Sequence, residues 1–318
     1  MSRRFASRIL SANLLGYTLL VAGCGSARIV NGLPSSEPSS AALSSSVHGL
    51  WAYNGNTVAA TSSGAEALRD FAVSQHINAV YISALPTSST PQLNSQISNL
   101  ISVLHESKIS VEALIGSHTA DEPGAPRNGF LVTVQNVVQF NQQFSTTQFD
   151  GIHLDIEPQQ RPENSGANAL QFLPNLIETY REANALAVPA NLVVDADIPI
   201  EVLRASADQR QALFTVLPRL TLMLYGVTRQ SSGLSTQQQI TAIQQASQNY
   251  LNTAYEGLSG NNLATLAIGL DTADYGYDLM PSVLSAVDQS SAANAHYSGW
   301  SRYSYADFLN QQSLTQQN

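Results

Sequence analysis

The segment Phe149-Asp150-Gly151-Ile152-His153-Leu154-Asp155-Ile156-Glu157-Pro158 alternates aliphatic with polar residues. A period of two is the pattern of a strand, and it puts Ile152, Leu154 and Ile156 on one face and His153, Asp155 and Glu157 on the other. Asp155 and Glu157 then lie about 7 Å apart along the strand. Two carboxylates side by side in a sheet are expensive, because buried charge needs compensation. Such neighbours push their pKa values apart, so that one stays protonated beside an ionised partner. General acid cleavage of a glycosidic bond needs that arrangement. His153 has two alternative roles, a hydrogen-bonding partner of Asp155 or a metal ligand. A His-x-Asp-x-Glu run spans about 13 Å, too far for one ion to take all three. His153 and Asp155 with His118 are the metal-site alternative; the preferred reading has no metal and no cofactor.

These residues need a scaffold. From His48 onward, strand-length apolar runs alternate with helix-length amphipathic segments. The strands are expected at 50–54, 77–85, 109–116, 149–158, 191–199, 220–228, 263–271 and 297–304. Helices are expected at 65–75, 92–106, 132–144, 169–185, 206–217, 236–255 and 281–292, with a last piece at 305–312. This alternation predicts a parallel sheet with helical crossovers. Eight units over about 260 residues match the size of a single-domain (β/α)8 barrel. An open doubly wound sheet is the alternative, but no glycine-rich phosphate loop follows the first strand. In the sixth strand Leu220, Leu222 and Leu224 share the outer face, and Thr221, Met223 and Tyr225 the inner one. Acids on the inner face near strand ends would gather at the C-terminal mouth, where barrel enzymes carry their chemistry.

Asp150-Gly151-Ile152-His153-Leu154-Asp155-Ile156-Glu157 resembles the fourth-strand signature Asp-Gly-x-Asp-x-Asp-x-Glu of family 18 glycoside hydrolases, the chitinase-like barrels. The resemblance implies that Glu157 is the general acid and that Asp155 orients a substrate acetamido group acting as internal nucleophile. Leu222-Met223-Leu224-Tyr225 is similar to the family's sixth-strand Met-x-Tyr, which implies that the Tyr225 hydroxyl contacts the same group. Ser298-Gly299-Trp300 stands where the family carries the tryptophan floor of the sugar site; an indole face suits a pyranose ring. His153 replaces the first inner aspartate, which in the family buffers the charge of the next. Gly226 replaces an aspartate after the tyrosine, and the third-strand Ser-x-Gly-Gly is absent. These motifs cover about twenty residues and the strand order covers the domain.

Strand position adds Asp195 and Asp197 on the fifth strand, Asp271 at the end of the seventh, Trp51 and Tyr53 at the end of the first, and Arg302 beyond Trp300. With Asp150 and His153 they form the expected substrate-binding set. For each, capping or salt-bridging at a strand end is the structural alternative. The functional expectation is a glycosidase acting on a polysaccharide. The alternatives are a non-catalytic carbohydrate-binding protein on the same barrel and a metal-dependent hydrolase using His153 and Asp155.

Composition narrows the partners. The formal charge is −9 over 318 residues, and only 12% of residues are charged. No basic stripe marks a nucleic-acid binder, and a hydrophobic content of 43% argues against disorder. The single cysteine, Cys24, excludes a disulfide framework. Arg3, Arg4 and Arg8 precede a short apolar run that ends in Val21-Ala22-Gly23-Cys24. This reads as a secretory signal over 1–23, and it resembles a bacterial lipobox, which implies lipidation at Cys24. A flexible Ser/Pro-rich tether is expected at 24–46, the barrel at 47–312 and a tail at 313–318. The whole reads as an exported, membrane-anchored monomer whose ligand is a carbohydrate, with no nucleic-acid partner.

Overall fold

The computed structural model describes residues 46–164, 166–226 and 233–315. The signal segment, Cys24, nearly all of the tether and the last three residues lie outside the described residues. So does Thr228, the expected end of the sixth strand.

Eight parallel strands close into a barrel in sequence order. They are β1 Val47–Ala52, β2 Ala79–Ile82, β3 Ser110–Ser117, β4 Gly151–Ile156, β5 Val193–Pro199, β6 Arg219–Met223, β7 Thr265–Asp271 and β8 Tyr297–Tyr303. The helices are α1 Gly55–Ala59, α2 Ser62–Ser74, α3 Pro91–Glu106, α4 Ala125–Gln143, α5 Leu173–Ala187, α6 Ala207–Phe214, α7 Thr236–Tyr255, α8 Thr272–Tyr275, α9 Met280–Ser291 and α10 Tyr305–Thr315. The expected (β/α)8 architecture is therefore observed. Among the described residues no helix is long and apolar enough to cross a membrane.

Local signals set the helix starts. Ser206 and Ser235 each close a capping box, with Gln209 and Gln238. Proline stands in the first turn of α3, α4, α5 and α9, where its missing N–H is harmless. α4 begins seven residues before the expected Val132. Its first turns are held by buried Arg127, which donates to the carbonyls of Asp121 and Asn175 and to Glu182 Oε1.

The main core lies between sheet and helices. Ile152, Leu154 and Ile156 of β4 and Leu220, Leu222 and Leu224 in and after β6 all face it and are fully buried. A second, smaller apolar cluster fills the barrel interior, built from Trp51, Ala79, Tyr81 and Leu114. Two glycines make room for it. A Cβ on Gly49 would lie 2.3 Å from Ser301 Oγ and 2.7 Å from Tyr81 Oη, and one on Gly269 would lie 3.0 Å from Trp51 Cη2.

Strand β8 departs from regular alternation. Leu266 pairs with Tyr297, but Ala267 pairs with Gly299, so Ser298 is an extra residue in β8. Gly299 takes φ +124, and a Cβ there would lie 2.0 Å from Val47 O. A bulge of this kind turns every later side chain to the opposite face. Trp300 consequently faces the outer core, and Ser301 and Tyr303 face inward.

Candidate active site

The interior of the barrel is a column of charge. At its base, Arg219 opens β6 opposite Asp195 of β5. Its Nε donates to Asp195 Oδ2 at 2.6 Å, and its Nη2 donates to the same oxygen and to Glu112 Oε1 at 2.7 Å. His153 sits above it, fully buried and stacked on Tyr81 with ring centroids 3.7 Å apart. Its Nδ1 is 2.7 Å from Asp195 Oδ1, and its Nε2 faces Asp197 Oδ1 at 3.0 Å. The other oxygen of Asp197 accepts from Trp51 Nε1 at 2.9 Å.

Asp155 and Glu157 lie above this column, at the C-terminal mouth. Asp155 is 5% exposed and accepts from the Tyr53 hydroxyl at 2.5 Å. Glu157 follows the last residue of β4. Its backbone N–H donates to Ser117 O at 2.8 Å, and its Oε2 accepts from Gln159 Nε2 at 3.0 Å. Tyr53 and Tyr225 are 39% and 37% exposed, and both rings pack against Tyr303. Their ring centroids lie 5.6 and 5.7 Å from that of Tyr303.

Burial and charge set the protonation of the column. Burial alone would lower the His153 imidazole, but Asp197 and Asp195 outweigh it and hold the ring well above its usual range, as an imidazolium. Burial raises the Asp195 carboxyl, and Arg219 and His153 overcome this and pull it below the carboxylate range. Burial and the charge of Asp195 push Glu112 up to about 7. Burial, Asp197 and Glu157 push Asp155 up to about 7 as well. Glu157 is raised, chiefly by burial. Asp195 at the base is thus ionised and paired with Arg219 and His153, while Glu112 beside it and Asp155 at the mouth are both poised near neutrality.

The structure brings together Asp155, Glu157, Tyr53, Tyr225 and, deeper, His153, Asp195 and Asp197. Three expected ligand contacts, Trp300, Arg302 and Asp150, are placed elsewhere, and two, Trp51 and Asp271, are engaged within the fold. Trp300 is turned outward by the β8 bulge, is 4% exposed and stacks on His48 at 4.4 Å. Arg302, outward for the same reason, lies over the rings of Phe71 and Tyr277 and donates to Thr272 Oγ1 and Gln75 Oε1. Asp150 precedes β4 at the opposite end of the barrel, where it accepts from Val111 N and pairs with His105. Trp51 is inside the barrel but has no exposed surface, so its indole supports Asp197 rather than a sugar ring. Asp271 is at the mouth, where its side chain caps α8 by accepting from Ala273 N.

Three contributors escaped the sequence reading: Glu112, Arg219 and Tyr303. Glu112 and Arg219 are charged residues embedded in apolar strand runs on the inner parity, which is a usable signal. Tyr303 could be assigned to the mouth only by placing the bulge.

Among the described residues, Glu112, His153 and Asp195 form the one group of three whose ligand atoms lie within 4.8 Å of one another. Their donor chemistry does not suit an ion. The Arg219 guanidinium already bridges two of them, and the third is an imidazolium. The expected set of His153, Asp155 and His118 is not assembled. Both His153 nitrogens face the β5 aspartates, and His118 is exposed at the end of β3.

No protein-family model matches the chain, and no curated protein matches it. Solved structures share its fold. A GH18 chitinase from Pseudoalteromonas aurantia aligns at 12% identity and TM-score 0.50, over 85% of this chain and 99% of that one. A chitinase from Chromobacterium violaceum aligns at 14% identity and TM-score 0.47, over 82% and 94%. A D-psicose 3-epimerase from Clostridium cellulolyticum aligns at 10% identity and TM-score 0.47, over 80% and 83%. At these identities the likeness shows the fold: the chain is a (β/α)8 barrel built like that of a GH18 chitinase.

Proposed function

We propose that the protein is a glycoside hydrolase acting on the O-glycosidic bonds of a polysaccharide, with Glu157 as general acid and Asp155 as its carboxylate partner. The observation that carries this reading is the pairing at the end of β4. A half-buried Glu157 with a raised pKa stands at the mouth beside a buried Asp155 that titrates near neutrality. A protonated Glu157 gives its proton to the leaving oxygen as the bond to the anomeric carbon breaks. Asp155, held in place by the Tyr53 hydroxyl, orients the group that stabilises the developing positive charge. Following the resemblance in the strand signature, that group is a 2-acetamido substituent of the substrate, and Tyr225 contacts it. Tyr53, Tyr225 and Tyr303 supply ring faces for a pyranose.

A panel of labelled oligosaccharides, including N-acetylglucosamine and galactosamine polymers, tests the assignment. Glu157→Gln is expected to lower turnover by at least about 10²-fold, the general acid contribution, with the thermal transition unchanged. Retained turnover would remove Glu157 from its role. Binding of an oligosaccharide without cleavage by the wild type would favour the carbohydrate-binding alternative. The chain is further proposed to be exported and lipid-anchored through Cys24. Cys24→Ser is expected to abolish labelling by a fatty-acid analogue and release the protein from membranes.

A further inference from the structure

In the family that the β4 segment resembles, the carboxylate beside the central aspartate comes from the same strand; here that position is His153. We infer that Asp197, on the neighbouring strand β5, is the positioning residue that takes over this work, fixed by His153 and Trp51 and setting the protonation of Asp155 across the sheet. The inference deepens the proposed glycosidase reading and rests on it for its catalytic meaning.

Strand register places the two groups together. His153 pairs with Asp195 and Leu154 with Ala196. The next inward residues up the two strands, Asp155 and Asp197, therefore stand at one level on strands about 4.8 Å apart. Asp197 is 1% exposed and cannot relax into water. It is held from three directions. Trp51 of β1 donates to Oδ2 at 2.9 Å, His153 of β4 faces Oδ1 at 3.0 Å, and the Tyr180 hydroxyl of α5 donates to its backbone carbonyl at 3.0 Å.

Among the described residues, the surroundings of Asp155 contain no other cation at this level. It meets Tyr53 from β1, His153 and Glu157 from β4, and Asp197 from β5, and its charge reaches Tyr225 after β6 and Tyr303 of β8. Asp197 further meets Asp195 on its own strand. One buried Asp155 oxygen, Oδ1, has no protein partner. Burial raises the Asp197 carboxyl and the His153 imidazolium works against that rise; an ionised Asp197 disfavours a second negative charge on Asp155. Asp155 therefore keeps its proton into the neutral range. The proton is released when a ligand brings compensating positive charge to the mouth.

The two partners act with opposite sign, and this gives the test. Protein uniformly labelled at aspartate ¹³Cγ is titrated by NMR without substrate, with the Asp155 resonance identified by its absence in Asp155→Asn. The wild-type midpoint is expected near pH 7. In Asp197→Asn it should fall by at least about one pH unit, the effect of removing one close like charge. In His153→Gln it should rise. An unchanged midpoint in folded Asp197→Asn overturns the inference. If that variant does not fold, Trp51→Phe removes one hydrogen bond from Asp197, brings its titration closer to that of Asp155 and should broaden the Asp155 curve; an unaltered curve there also overturns it. The titration needs no turnover, so it stands or falls separately from the glycosidase assignment. If turnover is found, the basic limb of the kcat/KM profile should move the same way as the NMR midpoint. A loss of activity without that displacement would indicate a merely structural Asp197.

Discussion

Arg219→Met probes the column at its base. Methionine is close to arginine in volume, though shorter, so little cavity is opened and the change is mainly electrostatic. The guanidinium makes hydrogen bonds to Asp195 and Glu112, and all three side chains are under 9% exposed. Its removal leaves unequal consequences. Glu112, which already titrates up at about 7, takes a proton and becomes neutral. Asp195, pulled below the carboxylate range, keeps only His153 as counter-charge. One buried carboxylate is thus left short of compensation, a loss of about 3–5 kcal/mol. For a domain of this size that is a fall in Tm on the order of 10 °C.

The deficit should also depend on pH. The depressed carboxyl of Asp195 contributes stability above its unfolded pKa, and that contribution is lost as pH falls through its folded value. In the variant that folded value rises, so the difference between wild type and variant should shrink from pH 7 towards pH 4. Urea unfolding followed by circular dichroism at several pH values measures both quantities. Combined with Glu112→Gln, the loss should be non-additive by about 1–3 kcal/mol. A deficit below about 1 kcal/mol at pH 7, or one independent of pH, would refute the account of a paired, desolvated ionic base.

The pH–stability profile of the wild type follows from the same groups. Glu112, Asp155 and His153 all have raised folded pKa values, so each contributes stability that is lost as pH rises through its folded value, about 7 for the two acids. Asp195 works in the opposite direction below its ordinary range; stability should therefore peak near about pH 4 and decline towards pH 8 in thermal melts. Asp155→Asn should be more stable than wild type at pH 8 by on the order of 1–3 kcal/mol and lose that advantage near pH 4, because the change removes the group that resists ionisation. Trp300→Ala should cost about 3–5 kcal/mol of stability and leave the affinity for N-acetylglucosamine oligomers unchanged in calorimetry, whereas Tyr303→Ala should weaken that affinity with a smaller effect on stability. Asp150→Ala should lower stability by about 1–2 kcal/mol through loss of its bond to Val111 N and leave oligosaccharide binding intact.

Trp300 and Glu157 show what a single sequence can and cannot disclose. Glu157 and Asp155 were legible because β4 is regular: alternation over six residues assigns each side chain to a face without any knowledge of its neighbours. Trp300 lies on the face opposite to the expected one because its orientation depends on one extra residue, Ser298, and a bulge is a property of two strands in register rather than of one. Asp150 matched the family signature, yet a residue that precedes a strand lies at the wrong end of the barrel for the mouth. Strand parity marks Asp195 and Asp197 as inward acids but does not identify their partners. His153 sits 42 positions from Asp195, and Arg219 sits 107 from Glu112. Such pairings exist only after the barrel has closed.

The distribution of charge along the barrel axis separates support from chemistry. Arg219 and His153 supply two positive charges, and they are placed against Asp195, Glu112 and Asp197. The cations are used up at the base and middle, and Asp155 at the top has a tyrosine hydroxyl where a salt-bridge partner could have stood. A carboxyl inserted only to stabilise the fold would be paired, because an unpaired buried charge lowers stability. An acid placed next to another acid, with the cations held one level below, is destabilising in the empty protein and becomes favourable when positive charge develops beside it. An oxocarbenium-like transition state brings such charge. Under the proposed glycosidase reading, the departure at His153 is compatible with a working site: the imidazolium is engaged by the β5 aspartates, and among the described residues no cation forms a salt bridge with Asp155 at the mouth.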